Sequence, residues 1–251
     1  MKKIIRLFLV AASGVCAFTS GAAELRVLAA ASLSDALREI APLHARATGD
    51  TLVFNFGASG ALARQIKEGA PADVIVSADE LRVDQLAAAG LLLDDTRRIL
   101  VENTLVLIVS TEGGAPVSDL SDLSGSAVRR LAIGEPAIVP AGTYAKAHLE
   151  KLGLWAAVQP KSVPLDNVRA VLAAVEAGNA DAGFVYRTDA LVSKKVRIAV
   201  EVPRAEGPRI AYPAAVVKDS TSPDAARALL VFLSGTEAQA VFAKCGFLAP
   251  N

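Results

Sequence analysis

The stretch "ELRVLAAASLSDALREIAPLHARAT", residues 24–48, decides the architecture. Its first third is a β-rich apolar run. Its remainder places Leu37, Ile40, Leu43 and Ala47 at helical spacing. Between the two, the apolar run stops at a hydroxyl, Ser32. The same alternation follows twice more. "TLVFNF" (51–56) leads to "GALARQIKEG" (60–69), and "ADVIVSA" (72–78) leads to "ELRVDQLAAAG" (80–90), with Gly69 and Gly90 as helix stops. Three strand–helix units in a row predict a parallel sheet covered by helices.

A second series runs through the rest of the chain. "TLVLIVS" (104–110), "RRLAIGEP" (129–136), "ADAGFVY" (180–186) and "RIAYPAAVV" (209–217) read as strands. "GTYAKAHLEKLG", "DNVRAVLAAVEAG", "RTDALVSK", "SPDAARALLVFLSG" and "EAQAVFAKCG" read as helices, with Gly153 and Gly178 as stops and Ser222 capping before Pro223. No Pro/Gly/Ser-rich linker separates the two series. The chain is therefore expected to cross between two lobes on short segments, near 104–110 and 210–217. That divides it into 24–102 with 214–251, and 103–213.

Upstream, "MKKIIRLFLVAASGVCAFTSGAA" has a basic start, a short apolar stretch and small residues, with Gly21 and Ala23 at −3 and −1 of a cleavage site. Residues 1–23 are expected to be an export signal, and the apolar run is short for a membrane span. Their removal takes away Lys2, Lys3 and Arg6 and no acid, leaving 23 basic against 26 acidic side chains. Val15 before Cys16 disfavours lipid attachment at that cysteine. With Cys16 removed, Cys245 is alone, so no intrachain disulfide is expected.

A hydrophobic content of 53% over 251 residues excludes a disordered chain. The absence of a clustered basic run beyond the N-terminus argues against nucleic acid as a partner. "GASGAL" carries Ala61 where a nucleophile elbow needs glycine. His44 and His148 lie in helical patterns and read as residues of solvated helix faces rather than as catalytic or metal-binding groups. No Cys/His zinc cluster, calcium loop or phosphate-binding glycine motif is present.

The strand-to-helix junctions share one chemistry. Ser32 stands at the first, Gly57, Ser59 and Gly60 at the second, and Pro140, Ala141 and Gly142 at another. Asp166 or Asn167 can cap a further helix, and a strand ends on Tyr186. A helix start exposes unpaired N–H groups and the positive end of its dipole. Several starts meeting at one point would bind an anion without a lysine or arginine. Each junction taken singly is equally well explained as a cap, a tight turn or a core tyrosine.

The stretches "VLAAASLSDAL", "FGASGALARQIKEGAPADVIVSAD", "EPAIVPAGTYAKAHLEKLGLW", "DNVRAVLAAVEAGNADAGFVYRTDA" and "YPAAVV" follow one another along the chain. In these stretches and in their order the chain resembles the periplasmic molybdate-binding proteins of ABC transporters. The resemblance implies an α/β, two-lobed periplasmic binding protein fold, each lobe a mainly parallel sheet flanked by helices, with an oxyanion in the cleft. Carried across by position, it implies that Ser32, Ser59, Ala141, Val168 and Tyr186 hold molybdate or tungstate. It further implies a monomer that needs no cofactor and is not an enzyme, and that docks on an inner-membrane permease and its ATPase. Gly60 departs from the pattern, since relatives can carry a hydroxyl there. A donor-only site suits a fully deprotonated dianion over hydrogen phosphate. A binding protein for sulfate or another oxyanion, or a serine hydrolase, remains the alternative.

Overall fold

The computed structural model describes residues 22–250. The expected export segment, up to its last two residues, and Cys16 lie outside them. The elements in chain order are β1 (Glu24–Ala30), α1 (Ser34–Thr48), β2 (Thr51–Gly57), α2 (Ser59–Lys67), β3 (Val74–Val76), α3 (Glu80–Ala88), β4 (Arg98–Asn103), β5 (Leu105–Ser110) and β6 (Leu131–Gly134). There follow α4 (Pro140–Lys151), α5 (Trp155–Val158), β7 (Ser162–Leu165), α6 (Val168–Glu176), β8 (Ala182–Tyr186), α7 (Arg187–Leu191), β9 (Val196–Glu201), β10 (Ile210–Val216), α8 (Pro223–Leu233) and α9 (Thr236–Lys244).

Two five-stranded sheets organise the two lobes. The first has the order β2-β1-β3-β10-β4 and the second β7-β6-β8-β5-β9. In the first, β1 runs parallel to β2 and β3, and β10 lies antiparallel between β3 and β4. In the second, β6 is parallel to β7 and β8, while β5 is antiparallel to β8 and β9. Both sheets are thus mixed but mainly parallel: in each a single strand, β10 or β5, runs against the other four. Strands β4, β7 and β9 were not legible in the sequence. β7 and β9 are only half-buried edge strands, so a strong apolar signal is missing from both.

The chain passes from the first sheet to the second at Thr104, the single residue between β4 and β5. It returns between Glu201 and Ile210. A boundary at 213/214 cuts β10, which pairs in the first sheet from Ile210 onward. β10 is buried along its whole length, as a strand covered on both faces must be. Proline cannot donate to a ladder, and Pro213 is accommodated at a register shift against β4 between Tyr212 and Pro213.

Helix α1 buries Ala36, Leu37, Ile40 and His44, while Ala47 is exposed. His44 stands seven residues after Leu37, on the apolar stripe, and is fully buried. His148 shares the buried face of α4 with Ala145 and Leu149. The reading of both histidines as solvated is therefore corrected. Burial lowers the pKa of each. At α4, Gly142 is required by close approach: a Cβ there would lie 1.8 Å from the carbonyl oxygen of Gly134 on β6.

Candidate functional site

A small cavity opens between the lobes, where the carboxyl ends of β1, β2 and β8 face the starts of α2, α4 and α6. The first lobe contributes Ser32, Ser59 and Ala78 to the lining; the second contributes Ala141, Val168 and Tyr186. All five positions singled out in the sequence meet here, from both sides of one cleft. Among the described residues, no charged side chain lines the cavity.

Ser59 is the first residue of α2 and 1% exposed. Its Oγ accepts the N–H of Ala78 at 2.9 Å. The oxygen is therefore occupied as an acceptor, and the hydroxyl proton is left to point elsewhere. Ser32 is not the helix cap that its position suggested. It lies inside a single 3₁₀ turn, Ala31–Leu33, ahead of α1, and makes no capping bond. Its hydroxyl instead meets the Tyr212 hydroxyl on β10 at 2.9 Å.

Tyr186 closes β8 with its ring buried. Its hydroxyl has no hydrogen-bond partner among the described residues. Burial pushes the phenol pKa well above its ordinary value, so the group stays a donor. Ala141 and Val168 stand in the first turns of α4 and α6, where N–H groups lack an intrahelical acceptor. Their side chains need only be small or apolar. Asn167, rather than Asp166, caps α6: its Oδ1 accepts from the N–H groups of Arg169 and Ala170, both at 3.0 Å. One side-chain acceptor of the lining is thereby used up.

The lobes touch directly around the cavity. Gly60 N–H donates to the Ile138 carbonyl at 3.0 Å, and Arg82 Nη2 donates to the Ala137 carbonyl at 2.8 Å. Arg169, next to Val168, reaches from α6 to Asp35 of α1 at 2.6 Å. Its Nε also lies 2.7 Å from Oδ1 of fully buried Asp189, though not aligned as a hydrogen bond. The other oxygen of Asp189 accepts the N–H of Tyr186 at 3.1 Å. Burial raises the Asp189 pKa to about 6, against the opposing effects of Arg169 and that N–H.

The arrangement offers hydroxyls and helix-start N–H groups to a guest that accepts hydrogen bonds. Among the described residues, no carboxylate or imidazole lines the cavity. His44 hydrogen-bonds with Thr48 and faces Asp50, and His148 stands two turns further along α4 than Ala141, about 10 Å away, so neither histidine lines the cavity that holds the two serines. Sequence reading missed Tyr212, Asn103 and Arg169. The "YP" dipeptide inside an apolar strand was the available signal for Tyr212, because proline there marks an irregularity that re-aims its neighbour.

Comparison with known proteins fits this geometry. The sequence matches the family described as bacterial extracellular solute-binding protein over residues 25–248. It is 36% identical to the molybdate-binding protein ModA of Escherichia coli (strain K12) over 231 residues, 89% of this chain and 88% of the relative. It is also 36% identical to ModA of Haemophilus influenzae over 256 residues, 99% of this chain and all of the relative. The solved periplasmic molybdate-binding protein of Azotobacter vinelandii superposes with a TM-score of 0.81 at 27% identity, covering 90% of this chain and 100% of that one. A cleft between two mixed sheets, lined by hydroxyls and helix starts, is carried here by a sequence matched almost end to end, and the chain belongs to the bacterial extracellular solute-binding protein family.

Proposed function

We propose that this protein captures a fully deprotonated tetrahedral oxyanion, molybdate or tungstate, and delivers it to an ABC permease and its ATPase. The hydroxyls of Ser32, Ser59 and Tyr186 and the backbone N–H groups of Ala141 and Val168 hold the anion. The protein works as an exported periplasmic monomer, without a cofactor and without chemical turnover. The observation that carries this reading is the hydroxyl of Tyr186, a residue 1% exposed, which among the described residues has no partner and lies on a cavity lined by no charged side chain. A buried donor without an acceptor costs roughly 1–3 kcal/mol, which a bound oxyanion recovers. The molybdate-binding relatives support the choice of anion.

Binding is coupled to lobe closure. Donors come from both lobes, so the anion favours the closed arrangement by its greater affinity for it. A thermal-shift and calorimetric panel of molybdate, tungstate, sulfate and phosphate tests the reading. Molybdate or tungstate at 100 times its dissociation constant should add about 2.7 kcal/mol of stability. Phosphate should add none. Stabilisation by no oxyanion, or by phosphate alone, would defeat the proposal.

A further inference from the structure

The hydroxyl of Ser32 meets Tyr212 Oη at 2.9 Å, and by distance alone either oxygen can be the donor. The amide of Asn103, at the end of β4, resolves the direction. Thr104 N–H donates to Asn103 Oδ1 at 2.9 Å, which fixes the orientation of the amide. Asn103 Nδ2 then faces Thr188 Oγ1 at 2.9 Å and Tyr212 Oη at 3.3 Å. An amide nitrogen only donates, so Tyr212 Oη is an acceptor toward Asn103. Tyr212 is fully buried, and its own proton needs an acceptor. Ser32 Oγ is the acceptor within reach. Once its oxygen accepts from Tyr212, Ser32 has its proton free for a guest.

We propose that Asn103 and Tyr212 are positioning residues that lock Ser32 as a donor and so exclude anions that carry a proton, hydrogen phosphate above all. A protonated anion oxygen needs an acceptor in the cavity, and a Ser32 held in this way turns its proton rather than a lone pair toward the guest. At Ser59 the same task falls to a backbone N–H, from Ala78, which no side-chain change can reverse. Ser32 is the position where side chains set the direction, and the β10 irregularity at Tyr212–Pro213 lies at the residue that does it. This inference rests on the oxyanion reading above.

Neutron diffraction of the deuterated protein with molybdate reads the direction directly. A deuteron on Tyr212 Oη aimed at Ser32, with the Ser32 deuteron aimed at the anion, supports the proposal; a Ser32 deuteron aimed at Tyr212 overturns it. Titration gives a second measurement. Tyr212→Phe should weaken molybdate binding about tenfold, or ~1.4 kcal/mol, and unchanged affinity overturns the proposal. Asn103→Asp should reverse the chain, because a carboxylate accepts the Tyr212 proton and turns the Tyr212 oxygen toward Ser32. Hydrogen phosphate should then compete with molybdate at least tenfold better, relative to molybdate's own affinity, than in the wild type. A purely structural role for Asn103 would weaken both anions alike, and phosphate competing no better overturns the proposal. Failure of the wild type to bind molybdate at all defeats the oxyanion reading instead. The Tyr212 deuteron can still be located in the protein without the anion.

Discussion

The N–H of Gly60 donates across the cleft to the carbonyl oxygen of Ile138 at 3.0 Å, and the missing side chain of Gly60 is what permits it. A Cβ at position 60 would stand 2.5 Å from that oxygen and 2.9 Å from Ile138 Cα. Gly60 is thus a residue at which the two lobes meet backbone to backbone.

Gly60→Ala should hinder closure rather than folding. Molybdate affinity is expected to fall at least tenfold, a change of ~1.4 kcal/mol. The thermal midpoint without ligand should stay close to that of the wild type, because the clash lies between lobes. Calorimetric titration together with small-angle scattering of the ligand-saturated protein checks this. Undiminished affinity in a fully compact protein would show that Gly60 does not govern closure.

Ser59→Ala and Tyr186→Phe should both weaken binding, but only Tyr186→Phe should do so at no cost in stability, because Ser59 Oγ also accepts the buried N–H of Ala78. Each removes one hydrogen bond to a charged guest, worth about 1.5–3 kcal/mol, or roughly ten- to more than a hundredfold in affinity. Tyr186→Phe also removes a hydroxyl that has no partner among the described residues. Its stability without ligand should therefore equal or exceed that of the wild type, as read by urea unfolding. A destabilised Tyr186→Phe protein with full affinity would contradict both halves.

Arg169→Ala should destabilise the protein in a pH-dependent manner. It strands Asp189, which is fully buried and whose pKa already stands at about 6 against an ordinary 3.8. The folded state therefore holds the Asp189 proton more tightly than the unfolded state. Its contribution to stability is greatest below pH 3.8 and declines as pH rises through about 6. Loss of Arg169 raises that pKa further. The cost of the substitution should be larger at pH 8, about 3 kcal/mol, than at pH 5. Urea unfolding at the two values decides, and an equal cost at both would refute the pairing.

The histidines carry the opposite sign. Burial lowers the pKa of His44 below 6.5, so the unfolded chain binds its proton more readily. Stability contributed by neutral His44 is present above pH 6.5 and is lost as pH falls below it. His44→Leu should flatten that acid-side decline in unfolding free energy relative to the wild type. Parallel pH profiles for the two proteins would show that His44 does not titrate in this range.

The strand-to-helix junctions were visible in the sequence because each is a local change of period, and local periodicity is what a sequence displays; the choice of Ser32, Ser59, Ala141, Val168 and Tyr186 among them followed from the family resemblance. The misreadings have a common cause. His44 looked solvated because a histidine is polar, yet its spacing from Leu37 already placed it on the buried stripe. Ser32 looked like a cap because serine precedes a helix, yet the intervening 3₁₀ turn gives it a different partner. That partner, Tyr212, is 180 residues away, and no local pattern pairs them.

The alternation of apolar runs and amphipathic helices determined the α/β class, the order of most elements and the helix starts that carry unpaired N–H groups. Tertiary structure alone decided which starts converge, which hydroxyl oxygens are already occupied, and where Gly60 meets Ile138. The reason is physical. Insertion of β10 between β3 and β4 brings Tyr212 and Asn103 to Ser32 through pairings distant in sequence, and the direction of a hydroxyl proton is set by such neighbours rather than by the residue that bears it.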